Sequence, residues 1–243
     1  MNEIKYRDVV NTALGEVGYQ GSKMNSKYTE FLDSIDWYNY KKKNACTWCC
    51  IFVDYCIAVN KGNLSYEQAR VIDCEPANHS SNAGAGVKDK AKYFKNANRW
   101  IDKANYKEAT TGDQIFLDDL GHVGLIVDWD KTGFFVVDGS TTYEGKPNSV
   151  GKKHIPFRSN RIVGFGRPDW YKYQTEDNAA STTPAAPSTS KEDLYISLAK
   201  DCYRGKYGNG LDRKRKINSL GYGNIYDKVQ AYVNMICRGQ LKP

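Results

Sequence analysis

Gln114-Ile115-Phe116-Leu117-Asp118-Asp119-Leu120-Gly121-His122-Val123-Gly124-Leu125-Ile126-Val127 holds two short apolar runs separated by aspartates and glycine. Runs of this length, rich in β-branched and aromatic side chains and bounded by turn formers, read as strands. Phe134-Phe135-Val136-Val137 and Ile162-Val163-Gly164-Phe165-Gly166 repeat the pattern, so strands dominate from Gly112 onward. Toward the N-terminus the period changes to a helical one. Val9, Val10, Ala13, Leu14 and Val17 recur on one helix face, and Trp48, Phe52, Tyr55, Cys56 and Val59 form a second stripe with Thr47 as its N-cap. Helices first and antiparallel strands afterwards predict an α+β fold.

Beyond Tyr173 the chain changes character. Residues 173–191 contain Ser181-Thr182-Thr183-Pro184-Ala185-Ala186-Pro187-Ser188 and no large apolar side chain after Tyr173, a composition that buries too little area to offset the entropy of ordering. This stretch reads as a flexible linker between a domain at 1–172 and a module at 192–243. The module reads as three short helices, about 192–203, 210–219 and 225–237, punctuated by Gly208-Asn209-Gly210 and Gly221-Tyr222-Gly223. A bundle this small has a modest core.

Aromatic residues at 13% and hydrophobic residues at 40% exclude a disordered chain, and the longest apolar run, Cys49 to Val53, is far too short to cross a bilayer. The charged N-terminus, Met1-Asn2-Glu3-Ile4-Lys5, lacks the order of a secretory signal and predicts synthesis in the cytoplasm. Four of the seven cysteines fall within residues 46–56, which suits reduced thiols better than a disulfide framework. The net charge of +7 is uneven: residues 191–243 carry 11 Lys and Arg against 5 Asp and Glu. A basic module predicts a polyanionic partner, whether nucleic acid, an anionic membrane surface or a wall polymer.

Two local settings could carry chemistry. Cys49 stands at the start of the second helix, where unpaired N–H groups and the helix dipole favour the thiolate; its bland reading is a buried structural cysteine. His122 heads a strand between Gly121 and Gly124, within reach of such a helix start as a base, with room beside the glycines for a substrate backbone; its bland reading is a solvated turn histidine. Asp138 and Ser140, on the returning strand, are candidates to orient the imidazole. An odd hairpin loop, such as 130–132, puts His122, Asp138 and Ser140 on one face, whereas an even loop without a bulge puts Asp138 opposite. Asp138 before Gly139 also reads simply as a turn residue.

These residues resemble the cysteine, histidine-dependent amidohydrolase/peptidase (CHAP) domains of papain-like peptidoglycan hydrolases. The resemblance rests on Trp48-Cys49-Cys50-Ile51-Phe52-Val53-Asp54-Tyr55-Cys56, Gly112-Asp113, Gly121-His122-Val123-Gly124 and Gly166-Arg167-Pro168-Asp169, and covers most of 1–172. It implies a papain-like fold, Cys49 as nucleophile, His122 as base and Asp138 as the orienting residue, with Trp48 and Ser140 contacting substrate. Where many members read Glu-Gly-Asn this chain reads Asp138-Gly139-Ser140, which leaves the orienting residue open between Asp138 and Ser140. Cys46 is the alternative nucleophile, but Phe52 and Val53 have the family spacing from Cys49.

The tail resembles the cell-wall-binding repeat first recognised in a pneumococcal phage lysozyme, through Ala199, Gly205-Lys206-Tyr207-Gly208-Asn209-Gly210-Leu211-Asp212-Arg213-Lys214, Gly221-Tyr222, Val229-Gln230 and Val233-Asn234. That resemblance implies muropeptide binding by Lys206, Tyr207, Asn209, Asp212, Arg213 and Tyr222. Together the two resemblances imply a phage-type endolysin, made without a signal peptide in the host cytoplasm, released to the wall, and cleaving an amide as an N-acetylmuramoyl-L-alanine amidase or an endopeptidase. They imply no nucleic-acid partner and no membrane insertion. The competing expectations are a wall-binding protein without catalysis and a zinc or nucleic-acid-binding protein using Cys46, Cys49 and Cys56 or Cys74. The latter lacks a second close ligand pair and stacking aromatics around Arg213-Lys214-Arg215-Lys216. Asp33, Asp36 and Asn39 offer oxygen ligands for calcium but form no loop motif, so no cofactor or metal is assigned.

Overall fold

The computed structural model describes residues 4–35, 47–75, 86–170, 172, 173, 191–203, 206, 207, 210–218, 220, 225–238, 241 and 242. In chain order these form α1 (Tyr6–Gly15), α2 (Lys27–Asp33), α3 (Cys49–Val59), α4 (Tyr66–Arg70), α5 (Val87–Asn96), β1 (Trp100–Asp102), β2 (Gln114–Leu117), β3 (His122–Trp129), β4 (Gly133–Tyr143), β5 (Lys146–Pro156), β6 (Ile162–Gly166), α6 (Lys191–Tyr203), α7 (Gly210–Asn218) and α8 (Tyr226–Cys237). The chain divides into two compact units, 1–179 and 180–243.

The first unit is α+β, with one six-stranded antiparallel sheet in the order β1-β6-β2-β3-β4-β5. Both faces of its centre are covered, which is why the central strands read as unbroken apolar runs. Leu125, Val127 and Val137 pack with α1, α2 and α3, while Ile115, Leu117, Ile126, Phe134, Val136 and Phe165 form a second core on the other face. Helix α3 is apolar nearly all round because α1, α2, α4 and the sheet enclose it.

Several expectations need correction. Trp48, not Thr47, is the N-cap of α3, and its side chain makes no capping bond. Leu14 lies on the exposed side of α1. The edge strands β1 and β5 were not read from sequence, because Trp100-Ile101-Asp102 is short and Lys146–Pro156 is mostly polar; edge strands need bury only a few residues, here Val150 and Ile155.

The β3–β4 hairpin reaches the expected alignment by another route. Trp129 pairs with Phe134, so the closing pair encloses four residues, an even loop, which alone would put His122 and Asp138 on opposite faces. The register slips by one between Ile126 and Asp128. That bulge restores the phase, because each one-residue slip exchanges the two faces.

The second unit packs α6, α7 and α8 around Leu198, Ala199, Cys202, Ile217, Val229, Val233 and Ile236. These helices coincide with the three read from sequence to within a residue or two.

Candidate functional site

Helix α3 starts beside the start of β3. The Cys49 sulfur lies close enough to the His122 ring and the Val123 backbone N–H to interact with both. His122 Nε2 lies 2.9 Å from Asp138 Oδ2, which leaves Nδ1 as the ring nitrogen available to the sulfur. The structure therefore brings Cys49, His122 and Asp138 together, although they come from a helix and two strands. Ser140 takes a left-handed backbone (φ 55) two residues after Asp138 and makes no hydrogen bond to the imidazole, so of the two it is Asp138 that pairs with the ring.

The electrostatics favour a thiolate-imidazolium pair. The neighbouring Cys50 thiol does most to hold Cys49 well below the usual thiol range; burial opposes it, and the nearby His122 ring and its charge add to it. Burial pulls the His122 imidazolium down, but the hydrogen bonds to Asp138 and Cys49 outweigh it and leave the ring at about 9. Cys56 and Cys74 are pushed well up by burial and stay neutral thiols. Peptide-resolved alkylation with iodoacetamide is expected to label Cys49 with a pH midpoint well below that of an ordinary thiol. A midpoint at or above the usual thiol range would contradict the ion pair.

The turn that delivers His122 is strained and clamped. Asp118, Asp119 and Leu120 are consecutive left-handed residues with φ of 54, 53 and 65. Such conformations persist only where surroundings enforce them. Arg161 does so: its Nε and Nη2 donate to Asp118 at 2.9 and 2.8 Å, and its backbone oxygen accepts from Asp118 N at 2.9 Å. A cavity of about 440 Å³ opens beside this turn, lined among others by Asp118, His122, Ser140, Thr141, Asn148 and Arg161.

The glycines around His122 make room for the protein's own chain, and Gly121 also lines the cavity. A Cβ on Gly124 would lie 2.5 Å from Val136 Cγ1 and 3.1 Å from Asp138 Cβ, and one on Gly121 would lie 2.9 Å from the Asp118 oxygen. Trp48 is likewise not a ligand contact. It is fully buried, donates from Nε1 to Ser22 O at 2.8 Å, and packs where a Cβ on Gly139 would lie 2.8 Å from its ring.

Further along α3 from Cys49 lies a buried charge cluster that sequence reasoning misses. The Lys90 ammonium on α5 hydrogen-bonds Asp54 on α3 and lies 2.8 Å from Asp73 Oδ2, to which Gln114 Nε2 on β2 donates at 2.6 Å. The Cys74 sulfur lies within hydrogen-bond distance of both carboxylates, 3.3 Å from Asp54 Oδ1 and 3.2 Å from Asp73 Oδ1, with one proton to give. Among the described residues, Asp54, Asp73 and Cys74 are the group close enough to gather around an ion, and the Lys90 ammonium already sits there. The signal was legible: Val87, Lys90, Ala91 and Phe94 share one buried helix stripe with a lysine in it. As for the calcium ligands considered above, Asp36 and Asn39 lie outside the described residues, as does Cys46.

In the smaller unit, Lys206 is exposed and pairs with Asp201 at 2.6 Å, while Tyr207 packs on the helical core with 9% of its surface exposed and the Lys206 ammonium 5.5 Å from its ring centroid. Arg213 Nη1 donates to Gln230 Oε1 at 3.1 Å. Asn209 and Tyr222 lie outside the described residues; Asp212 falls on α7 with its side chain not described.

Residues 197–237 match the family model of the CW_7 repeat. The smaller unit thus carries a CW_7 cell-wall-binding repeat, which suggests binding to the bacterial cell wall. No curated protein and no solved structure matches the chain significantly. Among the described residues, no helix is long and apolar enough to cross a membrane.

Proposed function

We propose that the chain is a peptidoglycan hydrolase of the phage-lysin type, a CHAP domain with a papain-like fold tethered to its wall-binding repeat. The observation that carries this reading is the meeting of Cys49, His122 and Asp138 in a chain whose C-terminal unit is a cell-wall-binding repeat. Asp138 reaches the imidazole despite being shorter than the glutamate of many CHAP domains, which favours catalysis over a purely binding role.

The Cys49 thiolate attacks the carbonyl carbon of a wall amide. Backbone N–H groups in the first turn of α3, where Trp48 supplies no side-chain cap, stabilise the oxyanion. The His122 imidazolium then donates its proton to the departing amine nitrogen, and the C–N bond breaks to leave a thioester on Cys49. Neutral His122 next takes a proton from water, whose oxygen attacks the thioester; the C–S bond breaks, freeing the carboxylic acid and restoring the thiolate-imidazolium pair. Asp138 holds the ring and its tautomer throughout. The scissile bond is either the sugar-to-peptide amide or a peptide bond within the stem or cross-bridge. The muropeptide is the ligand proposed for the repeat.

Turbidity loss of purified Gram-positive walls, with mass spectrometry of the fragments, tests this. Wild type and Cys46→Ala are expected to lyse walls, and Cys49→Ala to lose at least about 10³-fold in rate while still binding. Fragment masses then separate amidase from endopeptidase. Lysis by Cys49→Ala at the wild-type rate, or binding without lysis by wild type across the main wall types, would overturn the reading. Lysis is also expected to fade as pH rises through about 9, where His122 loses the proton the leaving amine needs.

A further inference from the structure

Lys153 stands on the edge strand β5, and β4 and β5 are in register with Val136 opposite Lys153 and Asp138 opposite Gly151. Residues opposite one another share a face, as do residues two apart on a strand, so Lys153 lies on the Asp138 face, one diagonal step away. Gly151 leaves that face open beside Asp138, since a Cβ there would lie 3.0 Å from Thr141 Cγ2. Lys153 Nζ donates to Thr141 Oγ1 and lies 3.3 Å from Asp138 Oδ2. That same oxygen meets His122 Nε2 at 2.9 Å, while the buried Oδ1 makes no hydrogen bond among the described residues. One carboxylate oxygen therefore serves both the ammonium and the imidazole.

This sharing has two consequences. The ammonium, anchored by Thr141, fixes which carboxylate oxygen points at the ring. It also places a positive charge near a ring that must carry its own. The other titratable and charged groups facing the imidazole are Cys49, backed by Cys50, on α3, Asp118 and its partner Arg161 at the cavity, and Asp138 on β4. Of these, Asp118 is already neutralised by Arg161, so Lys153 is the cation that shares a carboxylate oxygen with the ring.

We propose that Lys153 is a positioning residue that holds Asp138 toward His122 and, through its charge, sets the pH range over which the Cys49–His122 pair exists as thiolate and imidazolium. Its consequence for lysis rests on the hydrolase reading; its effect on the pair does not. Removing the cation stabilises the protonated ring and destabilises the thiolate, so both limbs of the pH dependence move to higher pH. For a partly exposed charge a few ångströms away the shift is about half a pH unit or more.

The test compares full-length wild type, Lys153→Met, Lys153→Gln and Lys153→Arg, each checked for a wild-type melting transition. The first readout is the pH midpoint of iodoacetamide alkylation of the Cys49 peptide, which needs no wall substrate; the second is the pH profile of wall lysis. The neutral variants are expected to raise the alkylation midpoint by at least about 0.5 pH unit and to move the acid limb of the lysis profile up by a similar amount, with Lys153→Arg restoring both. If one neutral variant fails to fold, the other carries the comparison. Superimposable alkylation profiles for wild type and a folded neutral variant overturn the proposal. Absence of wall lysis by wild type would instead count against the hydrolase reading, with the alkylation shift still deciding the role of Lys153.

Discussion

Replacing Lys90 with methionine is expected to lower the stability of the larger unit by about 3–5 kcal/mol and its melting temperature by about 10 °C. Methionine matches the lysine stem closely, so the loss is that of a charge and not of volume. The Asp54 and Asp73 side chains are almost wholly enclosed, and without the ammonium two carboxylates would share a dry site. Burial already pushes Asp54 up to about 7 against the pull of Lys90. A carboxyl raised in the fold above its ordinary 3.8 favours the folded chain at acid pH and loses that contribution as pH rises through 7. The variant should therefore lose more stability at pH 8 than at pH 5, and adding Asp73→Asn should recover part of the loss. Thermal or urea unfolding at both pH values checks this. A melting point within about 2 °C of wild type at pH 8 would show that the cluster does not need its cation.

Replacing His122 with alanine is expected to slow wall lysis by about 10²–10⁴-fold and to return the Cys49 alkylation midpoint toward that of an ordinary thiol. In the proposed mechanism both effects follow from one contact, because the ring would supply the proton for the leaving amine and part of the charge that holds the Cys49 thiol down. Asp138→Asn separates the two roles. An amide still orients the ring but no longer holds its proton, so His122 falls from about 9 and the alkaline limb of lysis moves down with it. Lysis by His122→Ala within tenfold of wild type would mean that another group moves the proton.

Much of this architecture is written in short-range pattern. The apolar runs 114–117, 123–127, 134–137 and 162–166 all lie in strands, and the three tail helices are punctuated where their glycines fall. What the pattern hides is phase and edge. Whether Asp138 faces His122 depends on a bulge near Val127, an apolar residue in an apolar run that carries no mark of its place. Strand β5 is hidden because an edge strand tolerates Lys152, Lys153 and His154, and the residue proposed to tune the pair is hidden with it. Trp48 illustrates the limit, because an aromatic beside Cys49 suits a ligand platform and a core anchor equally in sequence, and its burial against Gly139 distinguishes them. Asp118 and Arg161 are 43 positions apart, a pairing no local window detects.

The separation of Cys49 from His122 along the chain also bears on biosynthesis. At roughly 5–20 residues per second a ribosome releases the cysteine several seconds before its partner histidine. During that interval the thiol has neither the imidazole nor the Val123 N–H that ionise it, and it behaves as an unremarkable side chain in the cell that makes it. If Cys49 is the nucleophile proposed above, its activation waits for β3 to pair into the sheet. On the proposed reading, a copy that stalls before the sheet closes carries Cys49 only as an ordinary thiol, without the partners that would make it a nucleophile.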